Sequence, residues 1–241
     1  MAWNSIPVLA YHQVRPGGLV TPEGFGAHLA VMRDGGWQTC FLDEVVAFVR
    51  GERTPSARTV AITFDDGYLD NWVHAFPLLT KHNAKATVFV ITARPHDGSP
   101  RPKAADCPPL DEAQRDAVRA GGPSAHFCNW QELKAMADSG LVQVQSHGHE
   151  HRACFAEPTV LRLNRGRESW ALPTMTDGDE RGGIPVYPWR SALAACRYAD
   201  SPELRDEAVR RLSEGQSEAE IVADLNRRLL TDALGRSETP A

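Results

Sequence analysis

Two adjacent carboxylates, Asp65 and Asp66, end an apolar run rich in β-branched residues, and Gly67 follows them. The run Thr59–Phe64 has the length and composition of a buried strand, so the acids lie at its carboxyl end, where α/β folds keep their active sites. Neighbouring carboxylates repel each other and are costly to hold ionised unless a positive charge lies beside them. The pair therefore predicts a nearby cation, and a metal ion is the simplest one.

Three imidazoles follow a second strand-like run at residues 141–146 and supply the other half of this chemistry. His147 and His151 are four residues apart, and in a helical turn residues at that spacing share a face. Two histidines and one carboxylate, with positions left open for water, are typical of a catalytic site for a divalent metal. Zinc is the expected ion, with cobalt, nickel and manganese as alternatives.

Each cluster alone also has an ordinary interpretation. Asp-Asp-Gly is a common turn, and a histidine-rich hexapeptide is often a polar loop. A polar cluster that holds together by hydrogen bonds without an ion is the structural alternative to a metal site. The metal site is favoured because both clusters end strand-like runs and together complete a ligand set.

His12 follows the first strand-like run, at residues 6–10, and is therefore also at a strand end. It either contacts the substrate or a ligand residue, or is satisfied by local hydrogen bonds. His149, between the two spaced histidines, would point away from both in a helical turn. It either supports a ligand or faces solvent.

Strands and helices must alternate to position these groups. Thr21, Pro22 and Glu23 have the form of a helix start, with a capping hydroxyl, a proline at the first helical position and an acid in the first turn. Further helical patterns cover residues 42–49, 71–82 and 130–138, and Pro77 predicts a kink or a fresh start in the second of them. The alternation predicts an α/β fold with a parallel sheet or barrel, built as one domain over residues 1–241.

Two long segments depart from this alternation. Residues 92–129 form an excursion with one predicted helix at 111–120, and such an excursion above a strand end is often a lid or a substrate-facing element. Residues 202–236 are strongly helical, with an interruption near Gly215.

Composition excludes several classes of protein. Hydrophobic residues make up 42% and charged residues 24% of the 241 residues, as in ordinary globular proteins. A formal charge of −5 without a basic cluster argues against nucleic acid as a partner. No run reaches the length of a membrane span, and the amino terminus lacks the features of a signal peptide, which predicts a cytoplasmic location.

The order of these motifs resembles the polysaccharide deacetylases, the family four carbohydrate esterases with a NodB-type domain. It is most similar to the branch that includes the poly-N-acetylglucosamine deacetylases. The resemblance covers residues 6–153. It is carried by PVLAYHQV at 7–14, TFDDGY at 63–68, KATVF at 85–89, the helix and glycine at 130–140, and the Ser-His pair at 146–147 with His151.

This resemblance implies a distorted (β/α) barrel and a metal-dependent removal of an N-acetyl or related acyl group from an amino sugar or polysaccharide. It implies that Asp65 is the general base and that Asp66, His147 and His151 hold the metal. Tyr68, His12 and His149 are expected to support these residues or to contact the substrate.

The sequence departs from the family pattern after residue 153. No histidine follows His151, where the family has a later histidine as general acid, and residues 157–241 resemble an insertion and a helical tail. The barrel is therefore expected to be incomplete at its C-terminal end, with an open edge covered by its own helices or, in a homo-oligomer, by a second chain. His12 or His149 would then replace the missing acid. The alternative is a non-catalytic protein that binds metal or glycan without turnover.

Overall fold

The structure, a computed structural model, describes residues 5–55, 57–166, 170–192, 194 and 197–237, the last six by their backbone. The chain divides into two compact units, the first ending at Glu150 and the second beginning at His151. Each unit is described by itself. The single domain over residues 1–241 stays a prediction, because two compact units can belong to one domain.

The first unit is built on a five-stranded parallel sheet. Its strands are β1 (Val8–Tyr11), β2 (Gln38–Cys40), β3 (Thr59–Phe64), β4 (Ala86–Val90) and β5 (Val142–Ser146). They follow the order β1-β3-β4-β5, with β2 also paired to β3, and this path stays open within the described residues. The sheet confirms the predicted α/β fold.

Strand β3 is the centre of this sheet and is buried along almost its whole length. It pairs with β1 over residues 61–64, with β2 over 59–61, and with β4 at Thr63 and Phe64. Strand β1 pairs with some of the same β3 residues as β2 does and with others that also pair with β4. Because one edge of a strand pairs with one neighbour at a given residue, β2 and β4 both lie on the edge of β3 opposite β1. The carboxyl ends of β1, β3, β4 and β5 consequently meet at one end of the sheet.

The described helices of the first unit lie between its strands in the chain. They are α1 (Pro22–Asp34), α2 (Leu42–Val49), α3 (Phe76–His82), α4 (Leu110–Ala120) and α5 (Trp130–Asp138). The Thr21 hydroxyl accepts the Gly24 N–H at 3.1 Å, as predicted for this helix start. Helix α3 begins afresh, with Pro77 in its first turn, after one π-helical turn at Asn71–Ala75. The predicted break at Pro77 is thereby confirmed.

The excursion at residues 92–129 is held against the rest of the unit by a buried ion pair. The Arg101 guanidinium donates to the Glu132 carboxylate at 2.7 Å and also to the carbonyl oxygens of Ala125 and Phe127. Glu132 is fully buried at the start of α5, where it accepts the N–H of Asn129 and completes a capping box. These contacts fix the excursion against the rest of the unit.

The described part of the second unit has short strands and three helices. Strands β6 (Ala153–Phe155) and β9 (Trp189–Ser191) form one antiparallel pair, and β7 (Arg162–Leu163) and β8 (Pro185–Val186) form another. The helices are α6 (Leu172–Met175), α7 (Pro202–Ser213) and α8 (Glu218–Ser237).

The predicted interruption near Gly215 therefore separates α7 from α8. Inside this unit, the Arg205 guanidinium and the Asp200 carboxylate form a buried pair at 2.6 Å.

Across the described part of the chain, no helix combines the length and the apolar character that a membrane crossing requires.

Replacing Arg101 by Met should destabilise the first unit by about 3 kcal/mol, because the Glu132 carboxylate then stays buried without its cation. Burial raises the pKa of Glu132, but the hydrogen bonds from Arg101 and Asn129 outweigh it and lower that pKa overall. This contribution to stability is therefore present above the ordinary pKa of a glutamate. It is lost as the pH falls through the lowered value.

Urea unfolding at pH 7 and at decreasing pH measures this effect. Lys134→Met is the control, since it breaks an exposed pair with Asp138 on α5 and should cost about 0.5 kcal/mol or less. Equal losses for the two variants would show that the Arg101 pair does not anchor the excursion.

Candidate active site

A left-handed turn at the end of β3 separates the two adjacent carboxylates. The Asp65 N–H donates to the Tyr11 carbonyl at 2.9 Å, which continues the pairing of β1 with β3. Asp66 and Gly67 then take φ values of 74° and 77°. As a result, the Asp66 side chain is only 2% exposed, whereas that of Asp65 is 26% exposed.

Gly67 is required at this turn for two reasons. Its positive φ is unfavourable for residues with a side chain, and a Cβ there would lie 3.1 Å from Cγ2 of Val90 on β4. A larger residue would push the turn away from β4 and move Asp66 with it.

The histidines lie on a loop that the backbone of β4 holds in place. The His147 N–H donates to the Val90 carbonyl, and the N–H groups of Thr92 and Ala93 donate to the carbonyls of Gly148 and His149. The helical turn expected at residues 147–151 is therefore wrong. The backbone groups of this loop are bonded across to the end of β4 and to the residues that follow it, Thr92 and Ala93, and Gly148 and His151 have positive φ.

The loop nevertheless brings the three predicted metal ligands together. Asp66 Oδ1 lies 3.5 Å from His147 Nε2, and one ligand atom from each of Asp66, His147 and His151 lies within 4.8 Å of the others. The division between the units falls inside this loop, just before His151.

Ligand atoms about 2.0–2.2 Å from one tetrahedral ion are roughly 3.3 Å apart. The three side chains thus fit a divalent ion after small adjustments. One carboxylate and two imidazoles are a donor set that zinc and related ions accept.

Asp65 lies beside His12, which lines an open cavity. His12 Nε2 is 4.0 Å from Asp65 Oδ2, and the His12 side chain is 49% exposed. The cavity has a volume of about 500 Å³, with Tyr11, Gln13, Arg15 and Leu110 also in its lining. His12 thus lies between the Asp65 carboxylate and this cavity, at the carboxyl end of β1 and β3.

His149 and Tyr68 have contacts that place them away from this opening. His149 Nδ1 lies 3.0 Å from the Thr92 hydroxyl. Tyr68 is fully buried and stacks on Phe127. Burial and then the negative charge of Asp66 raise the pKa of Tyr68, so its hydroxyl stays protonated.

Two buried residues that the sequence did not indicate also belong to this region. Gln114 on α4 donates its side-chain N–H to Asp66 Oδ2 at 3.2 Å and to the Tyr68 hydroxyl at 2.6 Å. Asp70 Oδ1 accepts the Val14 N–H at 3.2 Å and the Asn71 amide at 2.9 Å.

The same Asn71 amide donates to the His12 carbonyl at 3.0 Å, so this pair of side chains fixes the segment that carries His12. No motif or spacing pointed to Asp70 or to Gln114, which is 48 residues away from Asp66.

Comparison with known proteins places this geometry in a family. A family model described as polysaccharide deacetylase matches residues 52–176, slightly more than half of the 241 residues. The chain belongs to the polysaccharide deacetylase family. The predicted resemblance is confirmed, and with it the membership of a family of carbohydrate deacetylases.

Individual relatives cover different shares of the chain. The putative polysaccharide deacetylase YxkH of Bacillus subtilis (strain 168) is 40% identical over 88 residues, 36% of this chain and 32% of the relative. The chain thus matches about a third of the length of this curated relative.

Solved structures of deacetylases are similar at lower identity. The structure of IcaB from Ammonifex degensii has 25% identity and a TM-score of 0.47, and the match covers 63% of this chain and 55% of that one. The BpsB deacetylase domain from Bordetella bronchiseptica has 21% identity and a TM-score of 0.48, with 92% and 75% covered.

Replacing Asp70 by Asn should change how stability depends on pH. Burial raises the pKa of Asp70 to about 8, although the hydrogen bonds from Val14 and Asn71 act to lower that pKa. A raised carboxyl pKa means that the folded state holds the proton more tightly than the unfolded state. The protonated Asp70 carboxyl therefore stabilises the folded state fully below the ordinary aspartate pKa near 4, and this stabilisation is lost as the pH rises to about 8.

The amide introduced by Asp70→Asn would keep an acceptor for Val14 but would not titrate. The stability of Asp70→Asn relative to the wild type should therefore increase between pH 5 and pH 8, as measured by urea unfolding at both values. A difference that stays constant over this range would contradict a neutral, buried Asp70.

Proposed function

We propose that the chain is a metal-dependent hydrolase that removes an N-acetyl or related acyl group from an amino sugar of a glycan. The observation that carries this proposal is the convergence of Asp66, His147 and His151 beside the more exposed Asp65. Membership of the polysaccharide deacetylase family supports the same reaction class. The matched range, residues 52–176, contains all four of these residues.

Asp66, His147 and His151 would hold one divalent ion, with zinc as the first choice. Such an ion, when bound, polarises an amide carbonyl and lowers the pKa of water. The protein's part is to supply one negative charge and two neutral imidazoles in a fixed arrangement. Asp66 suits this part because it is buried and held by Gln114 on the side away from His147.

Asp65 would act as the general base that takes the proton of the attacking water. A base must be accessible to water and must stay within hydrogen-bond reach of the proton that it removes. Asp65 meets the first requirement because its side chain is 26% exposed, and Asp66 does not because it is buried. The left-handed turn thus gives the two aspartates different proposed roles, Asp65 as the base and Asp66 as a metal ligand.

His12 is the best-placed group to return a proton to the leaving amine. Its ring nitrogen lies 4.0 Å from Asp65, it is half exposed, and it adjoins the cavity. His149 is less suited to this task because its ring contacts the Thr92 hydroxyl. We therefore propose His12 as the general acid that protonates the leaving amine.

The cavity beside His12 is where we expect the sugar to bind. Its volume of about 500 Å³ is in the usual range of small-molecule sites. The Tyr11 ring offers an apolar surface, and Gln13 and Arg15 offer donors for hydroxyl or carbonyl oxygens. Such a mixed lining suits a saccharide, which has both apolar faces and polar edges.

Wild-type protein with added zinc or cobalt should release acetate from N-acetylglucosamine oligomers, and Asp65→Asn should lower kcat by about 10²–10⁴-fold. The amide keeps the size of the side chain but cannot take a proton. Metal content by elemental analysis should be the same in both proteins, since Asp65 is not among the proposed ligands.

The matched control is Asp97→Asn, an Asp to Asn change in the excursion at residues 92–129, which should leave kcat unchanged. Equal release by wild type and Asp65→Asn would remove Asp65 from the mechanism. Metal binding by the wild type with no release from any N-acylated sugar would instead favour the non-catalytic alternative.

A further inference from the structure

Helix α4 packs over the carboxyl end of the sheet through a small apolar cluster. The cluster is fully buried and consists of Tyr68, Ile91, Ala113, Ala117 and Phe127. Two of its members belong to α4 and are alanines, which let the helix backbone approach closely. The excursion therefore brings a helix face within side-chain reach of Asp66.

Gln114 is the polar residue that α4 directs at Asp66. It is 1% exposed, and its side-chain nitrogen is 3.2 Å from Asp66 Oδ2 and 2.6 Å from the Tyr68 oxygen. Its Oε1 is buried without a hydrogen-bond partner among the described residues. A flipped amide would place that oxygen against the carboxylate, so the donor orientation is the favourable one.

Arg94 ties the same helix to the histidine loop. Its guanidinium donates to the carbonyls of Ala117 at 3.0 Å and Gly122 at 3.1 Å, near the end of α4. It also donates to the Glu150 carbonyl at 3.3 Å, next to His151 in the chain. The position of α4 relative to Asp66 is therefore fixed from two directions.

We propose that Gln114 is a positioning residue for the metal site, which holds Asp66 Oδ2 so that Oδ1 alone is presented towards His147. This inference rests on the proposed metal site and goes beyond it by assigning a role to the excursion at residues 92–129. The hydrogen bond fixes the carboxylate before the metal arrives, so less side-chain freedom is lost on binding.

The test compares metal affinity in Gln114→Met and in Glu112→Met. Methionine is close to glutamine in length but has no N–H to donate. Glu112 is exposed on the same helix, so its replacement introduces the same side chain away from Asp66. Competition with a chromophoric chelator gives the Zn²⁺ affinity, circular dichroism confirms the fold, and the visible spectrum of the Co²⁺ form reports the coordination.

We expect Gln114→Met to bind Zn²⁺ about 10–100-fold more weakly than the wild type and to show an altered Co²⁺ spectrum. Glu112→Met should match the wild type in both measurements. If Gln114→Met does not fold, Gln114→Asn, which retracts the amide by one carbon, should show a weakened affinity in the same direction.

The outcomes separate this inference from the proposed function. Wild-type protein that binds Zn²⁺ together with a folded Gln114→Met variant of equal affinity would overturn the role of Gln114 alone. Wild-type protein that binds no divalent ion would overturn the metal site itself and the inference with it. A lower melting temperature with unchanged affinity would show that Gln114 serves packing only.

Discussion

The left-handed turn at Asp66 and Gly67 is the constraint on which the candidate site depends. Two successive residues with positive φ, Asp66 and Gly67, end the extended conformation directly after the buried strand. The Asp66 side chain is 2% exposed beside His147, whereas the Asp65 side chain is 26% exposed beside His12. Two acids of identical chemistry thereby occupy different environments.

The parallel sheet then determines which segments meet this turn. The register of β1, β3, β4 and β5 places His12, the acid pair and His147 at the same end of the sheet, although they are separated by up to 135 positions in the chain. The excursion adds a second layer, because its helix supplies Gln114 and its Arg94 holds the following loop. Strand ends provide the reactive groups, and the excursion limits their movement.

Much of this arrangement could be predicted from local sequence patterns. The strand before the acid pair, the helix that begins after Thr21 and the fresh start at Pro77 follow from periodicity, capping and the geometry of proline. That one acid of the pair would meet His147 and His151 followed from strand ends and residue types, and the family resemblance implied that this acid is Asp66. These features depend on a few neighbouring residues, and for that reason the sequence shows them.

The remainder depends on contacts between distant segments. The histidine loop was expected to be helical because of its four-residue spacing, but its backbone bonds to β4 instead, a pairing that no local pattern reveals. Gln114 is a common residue on an ordinary helix, and only the packing of alanines against Tyr68 and Phe127 makes it important. The backbone anchoring of that loop also means that its fold does not rely on the imidazole rings. At the proposed metal site, exchanging His147 for another coordinating residue would alter which ions are preferred while the scaffold around them keeps its shape, so the cation preference of that site would be open to evolution by single codon changes.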